Sequence, residues 1–304
     1  MGHSSWSNDA YSKLKADYSG KTRGEVFTNT SIDKNMSPRG ITFRESRDSD
    51  IHPNSLAIGV FLDVTGSMGS IPDILIRNKL GHLMNTLIAH GVPDAHVLFG
   101  GIGDHYSDYY PLQVGQFEAG TQELNAWLTK IYLEGGGGAQ VMESYSLAWM
   151  FAARHTSIDC FEKRGQKGFL FTIGDEDVHE KLEKDFLTGL LGYEFPETVS
   201  AEQVLAEAQR MYHVFHLHVN ETGTGKTPGI LEAWKKLLNE SVIVVEDHNN
   251  IAEIIASTVA VVMGADLKKV VANFDTATAK QVSNALVKIS RDIVSGKQDG
   301  IFTL

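Results

Sequence analysis

From residue 55 onward the chain alternates short, nearly unbroken apolar runs with longer stretches in which apolar positions recur every three or four residues. Ser55 to Asp63 (SLAIGVFLD) has the length and continuity of a strand buried on both faces. A helix is predicted directly after it. Ile71, Ile74, Leu75, Leu83, Met84, Leu87 and Ile88 fall on one helical face, Pro72 suits the first turn, and Gly91-Val92-Pro93 ends it. Further strands are predicted over Ala95 to Gly101, Pro111 to Phe117, Gly168 to Gly174, Met211 to Val219 and Ser241 to Glu246. Helices are predicted over Gln122 to Tyr132, Val141 to Arg154 and about 179–191, 200–210, 228–239, 250–265 and 275–295. The last carries Val282, Ala285, Leu286, Ile289 and Ile293 on one face. Strands alternating with amphipathic helices predict an α/β domain built on a mostly parallel central sheet flanked by helices.

Residues 1–54 read differently. They are rich in Ser, Asp, Lys, Arg and Thr, hold few large apolar side chains and show no sustained period, so they cannot by themselves offset the entropy of ordering. A polar, extended N-terminal arm is expected, with Trp6, Tyr11, Tyr18 and Phe27 as scattered anchors. Residues 55–265 form the α/β domain in this division, and 266–304 a helical C-terminal extension.

Charge and composition narrow the function classes. A formal net charge of -11 without any basic stripe argues against a nucleic-acid partner, because phosphate contacts need clustered Lys and Arg. The single cysteine, Cys160, excludes an internal disulfide framework and a Cys-rich zinc site. The N-terminus lacks the apolar core of a secretory signal, and Trp6 stands where a myristoylation pattern needs Ser or Thr. The longest apolar run, Ile254 to Ala265, is too short to span a bilayer. A cytoplasmic protein with no membrane partner is the expectation.

The chemistry gathers at one edge. Ligands of open parallel sheets bind beyond the carboxyl ends of the strands, and Asp63, Asp104, the glycine run leading to Glu143, and Asp175 with Asp177 all follow strands or open helices. In FLDVTGSMG, Asp63 offers a charge, Thr65 and Ser67 offer neutral oxygens two and four residues on, and Gly66 permits the turn between them. Such an oxygen set suits a hard divalent ion, Mg²⁺ above all, with Mn²⁺ or Ca²⁺ also acceptable. Asp175 adds a second carboxylate, directly or through water.

IGVFLDVTGSMG followed by an amphipathic helix resembles the von Willebrand factor A (VWA) domain, whose metal-ion-dependent adhesion site (MIDAS) begins Asp-x-Ser/Thr-x-Ser. FLFTIGDED is similar to the family's second acidic element. The resemblance covers roughly residues 55–265. It implies a doubly wound, Rossmann-like fold, metal ligation by Asp63, Thr65, Ser67 and Asp175, and protein binding rather than catalysis. Many intracellular relatives work in multiprotein assemblies or with AAA+ ATPases, so such a protein partner is implied, and self-association is compatible. One element departs from the pattern: the family's loop Thr is missing from EGGGGAQVMES, leaving Gln140, Glu143, Ser144 or water in its place. With Glu143 near the ion, three carboxylates would surround it, and an acidic oxygen from a partner would be less welcome.

Other features compete for attention. His213, His216 and His218 alternate along a strand but lack a further ligand, so they read as partly buried strand residues. Thr222 to Thr227 (TGTGKT) echoes a phosphate loop, yet Asn220 stands where the Walker spacing requires glycine. The alternative enzyme reading is a Mg²⁺-dependent phosphohydrolase of the haloacid dehalogenase type, which Asp63-Val64-Thr65-Gly66-Ser67 also resembles, with Asp63 as the nucleophile. Against it, a long helix begins right after Met68, and no lysine sits at a strand end between Asp63 and Asp175.

Overall fold

A computed structural model describes residues 4–66, 68–135 and 141–294, with side chains through residue 289. Its centre is a six-stranded sheet of β1 (Leu56–Asp63), β2 (Ala95–Ile102), β3 (Leu112–Val114), β4 (Gly168–Gly174), β5 (Tyr212–Val219) and β6 (Val242–Val245). The spatial order is β6-β5-β4-β1-β2-β3, parallel except for β3, which runs antiparallel to β2. Every residue of β1, β2 and β4 is buried, so both faces are covered, as their continuous apolar runs require. Phe61 lies across Gly100 of β2, where a Cβ would sit 2.4 Å from its ring, so only glycine allows these strands to pair.

The helix after β1 is interrupted as predicted by neither propensity nor period. α1 (Ile71–Ile74) is α-helical, Leu75–Lys79 widens to a π turn in which Leu80 N–H reaches Leu75 O, and α2 (Leu80–Ala89) completes it. α2 packs on α3 (Ile251–Val262), which packs in turn on α4 (Thr276–Val294). Val282, Leu286 and Ile289 of the C-terminal helix are buried, so residues beyond 265 belong to the same core. Tyr145–Arg154 packs separately against Ala201–Met211.

The N-terminal residues are not an extended arm. They carry helices at Asn8–Tyr18 and Arg23–Val26 and a strand, Arg44–Ser46, paired with Thr156–Ile158. Tyr11, Val26, Phe27 and Met36 are buried, and Trp6 and Tyr18 pack partly against the core. Tyr11 lies on Gly81 of α2, whose absent Cβ would fall 2.6 Å from the ring. Val114 N–H donates to Met36 O, so this segment also covers the sheet edge that β3 would otherwise leave open. Isolated anchors seated in gaps of the domain supply the burial that local composition cannot. Among the described residues no helix is long and apolar enough to cross a membrane.

The helix expected over Val141 to Arg154 begins only at Tyr145. Met142–Glu143 instead forms a two-residue strand paired with Asp177–Val178. This small ladder joins the segment that leads into the Tyr145–Arg154 helix to the loop that follows β4.

Candidate metal centre

Sheet register brings the acidic residues together. Asp63 ends β1 opposite Ile102, and Leu62 pairs with Ile173, so Asp63 lies level with Gly174 and Asp175 follows at once. The strand order reverses between β1 and β4, the position where open sheets form a crevice. Asp63 is 1% exposed and Asp175 fully buried. Asp63 Oδ1 accepts the Thr65 N–H at 2.8 Å and the Thr65 hydroxyl at 2.6 Å, while Tyr145 OH donates to Oδ2 at 3.3 Å. Thr65 thereby keeps its oxygen lone pairs available beside the carboxylate. Gly174 is needed here, since a Cβ would lie 1.9 Å from the Tyr145 hydroxyl.

Glu143 reaches the same region from the short ladder. It is buried, and its Oε2 has no hydrogen-bond partner among the described residues. Burial, followed by the charges of Asp63 and Glu176, pushes its carboxyl up to about 11. Burial also lifts Asp63 to about 7, with the Thr65 hydrogen bonds opposing and the Asp175 charge adding to the rise. Glu176 rises to about 8 through burial and the charges of Asp63 and Asp175. Unpaired carboxylates in such surroundings take up protons or require a cation.

The rest of the predicted set divides. Ser67 and Gln140 lie outside the described residues. Ser144 turns away to hold His105, accepting its backbone N–H at 2.9 Å and meeting its Nδ1 at 2.7 Å. Asp177 accepts the N–H of Val178 instead of facing the carboxylates. Asp104 is near enough to act on Glu143 and Glu176 electrostatically, but its own oxygens are bound to Tyr106 N–H, Ser107 hydroxyl and His179 Nε2. Burial opposes its charge, and those donors outweigh burial to hold its carboxyl below the usual range.

Thr222 was missed by sequence reasoning. Its hydroxyl donates to Asp175 Oδ2 at 2.6 Å and accepts the Gly225 N–H at 2.8 Å. Thus the loop that echoes a phosphate-binding turn is a brace for the second acidic strand end. His218 fastens the same loop through Gly225 O at 2.9 Å. His216, fully buried, stacks on Trp234 with ring centroids 3.4 Å apart, and Trp234 Nε1–H donates to Glu176 O. These histidines support the floor of the site, and His216 and His218 are more deeply buried than their strand position predicts.

No protein-family model and no curated protein matches the chain. Similar solved structures include the pilus adhesin SpaC from Lactobacillus rhamnosus GG in its open conformation, 10% identical with TM-score 0.42 over 70% of this chain and 31% of that one. Proximal thread matrix protein 1 from the mussel byssus is 7% identical, with TM-score 0.42 over 70% of this chain and 47% of that one. The chain thus spans less than half the length of either. A likeness this low bears on neither family nor function.

Proposed function

We propose that this chain is a metal-ion-dependent protein-binding or scaffold module of the doubly wound VWA type. Asp63, Thr65, Ser67 and Asp175 would hold a Mg²⁺-class ion, Mn²⁺ or Ca²⁺ being alternatives, with Glu143 in or beside its coordination shell. The observation that carries the reading is the buried Oε2 of Glu143, without a hydrogen-bond partner among the described residues and in electrostatic reach of the equally buried Asp63, which in turn feels Asp175 across the strand-order reversal. An all-oxygen donor set with surplus negative charge fits a hard divalent ion. Bound there, the ion would neutralise the carboxylates and offer an electrophilic position to a partner's oxygen. The chain's own part is to orient these groups: Thr65 and Tyr145 aim Asp63, and Thr222 aims Asp175.

Three carboxylates against a +2 ion favour a partner that presents a neutral oxygen, such as a backbone carbonyl or hydroxyl, over one that presents an acid. A cytoplasmic protein assembly, with an AAA+ ATPase as one candidate partner, belongs to this reading. Nucleic acid and membrane do not, and self-association is compatible with it. The phosphohydrolase alternative is disfavoured by the surroundings of Asp63. Lys163 pairs with Asp159, and Lys167 donates to Gln209 O immediately before β4 begins, so both lie at the opposite end of the sheet from the acidic edge.

Titration calorimetry with Mg²⁺ and Mn²⁺ on wild type and Asp63→Ala, paired with turnover of an aryl phosphate, tests the reading. Binding that is lost in the variant, without turnover, supports the module. Metal-dependent turnover abolished by Asp63→Asn transfers the assignment to the enzyme, and unchanged binding in Asp63→Ala removes the metal site altogether.

A further inference from the structure

We infer that a second metal site, for a borderline first-row ion of the Zn²⁺ class, lies beside the oxygen site and is built from Asp104, His105 and His179, with Glu183 at its rim. Asp104 and His105 follow β2, and His179 follows the short strand Asp177–Val178. One ligand atom from each of Asp104, His105 and His179 falls within a 4.8 Å circle. His179 Nε2 is 2.8 Å from Asp104 Oδ1, and the two rings, His105 and His179, meet edge to face at 4.7 Å. The side chains are 4%, 1% and 6% exposed for Asp104, His105 and His179, so they do not simply solvate one another's charge at the surface.

His105 makes the case for an ion. Its Nδ1 is held by Ser144 Oγ, which leaves Nε2 as the ring's remaining ligand atom. That Nε2 is buried and, among the described residues, meets only Glu183 Oε2, at 3.4 Å and too long and poorly aligned to satisfy it well. Three of the four candidate ligands also have an outer partner that fixes them: Ser144 for His105, Ser107 and Tyr106 N–H for Asp104, and Tyr106 OH at 2.9 Å for Glu183. Metal-binding histidines and carboxylates are commonly oriented in this way.

Two imidazoles and a carboxylate select differently from the oxygen site. Imidazole suits Zn²⁺, Co²⁺ or Ni²⁺, whereas Mg²⁺ and Ca²⁺ prefer oxygen. Ligands about 2.0–2.2 Å from a tetrahedral Zn²⁺ lie roughly 3.4 Å apart, so small side-chain movements bring this cluster to that geometry. A cleft of about 390 Å³ lined by Tyr106, Met142, His179, Glu180 and Lys181 opens onto His179, giving an entry path and a position for an exogenous ligand.

The test uses the full chain, stripped with chelator and titrated with Co²⁺ while the visible ligand-field spectrum is followed, then challenged with Zn²⁺. One equivalent of Co²⁺ should give the spectrum in wild type and in Asp63→Ala, and Zn²⁺ should displace it. His179→Ala should lose the spectrum, and His105→Gln should weaken binding by more than the roughly 10–100-fold that loss of an outer partner costs. Circular dichroism on each variant identifies any that does not fold, and either histidine variant then suffices. Absence of the spectrum in wild type leaves a hydrogen-bonded cluster only and overturns the inference. So does a spectrum that survives in both histidine variants, or one that vanishes in folded Asp63→Ala, which would put the ion at the oxygen site.

Discussion

Asp63 and Asp159 are both 1% exposed, and each stands at the carboxyl end of a strand, yet their environments oppose each other. Asp159 meets Lys163 Nζ at 2.6 Å, Arg47 Nη1 at 2.8 Å and the Asp48 N–H at 2.8 Å. Burial resists its charge, but those donors overcome burial and bring its carboxyl to about 2. Among the described residues Asp63 receives only neutral donors, Thr65 and Tyr145, and it shares its surroundings with Asp175 and Glu143. The fold can neutralise a buried aspartate where it ties the N-terminal segment to the domain. At the sheet edge it has gathered more acid instead, so charge there is relieved by proton uptake or, in the proposed reading, by a bound cation.

The strongest way to break this contrast is Asp63→Ala. Mg²⁺ at about one hundred times its Kd stabilises a protein by roughly 2.7 kcal/mol, and the variant should lose that entire Mg²⁺-dependent rise in Tm. Chelation with EDTA should have the same effect on wild type and none on the variant. An undiminished Mg²⁺ response in Asp63→Ala would erase the distinction between the two aspartates.

Asp159→Ala should behave oppositely, costing about 2 kcal/mol of stability whether or not Mg²⁺ is present, because a buried set of charge-assisted hydrogen bonds is lost. The partial exposure of Arg47 and Lys163 keeps the cost from being larger. The two sites also differ in sign with pH. Asp159 titrates lower in the folded than in the unfolded chain, so its contribution is present above pH about 4 and is lost as pH falls through about 2. Asp63 titrates higher when folded. Without a divalent ion its ionisation weakens the fold as pH rises from about 4 through about 7. Apo Asp63→Asn should therefore gain on apo wild type across that window, and Mg²⁺ should reverse the gain. Urea unfolding at several pH values, with and without Mg²⁺, reads both slopes.

Glu143→Gln sharpens the account at a smaller scale. Burial keeps Glu143 protonated in the apo fold, so Gln spares the cost of that proton uptake and should raise apo stability near neutral pH, while Mg²⁺ affinity should fall by more than about tenfold because the ionised ligand can no longer form. Calorimetry that finds unchanged affinity places Glu143 away from the ion.

Legibility in the sequence followed how each feature is encoded. Asp63 and Asp175 were readable because each closes a continuous apolar run, and a buried parallel strand presents its carboxyl end to the crevice. Glu143 was readable only as a departure from the family pattern, and its approach depends on a two-residue ladder too short to leave a period. The N-terminal segment was misread because Tyr11, Phe27 and Met36 are buried singly, in niches such as the one over Gly81, with no amphipathic repeat. Asp104 was readable as a carboxylate following a strand, but His179 comes from a distant loop that the same ladder aligns. Thr222 was hidden by its own loop: TGTGKT drew attention to its glycines and lysine, while the contact that matters is one hydroxyl on Asp175.

That hydroxyl supplies the finest test of the contrast between the acidic edge and the ion-paired region. Thr222→Val keeps the side chain's shape but removes the donor to Asp175 and the acceptor for the Gly225 N–H. Mg²⁺ affinity should fall about tenfold, the low end of what an outer partner of a metal ligand contributes. Ser157 occupies the matching role in the ion-paired region, donating to Glu162 beside Arg47. Ser157→Ala should leave Mg²⁺ affinity untouched. Calorimetry on the two variants side by side separates a hydroxyl that orients a metal ligand from one that only completes a salt-bridge network, and equal Mg²⁺ affinities would mean that Asp175 needs no such brace.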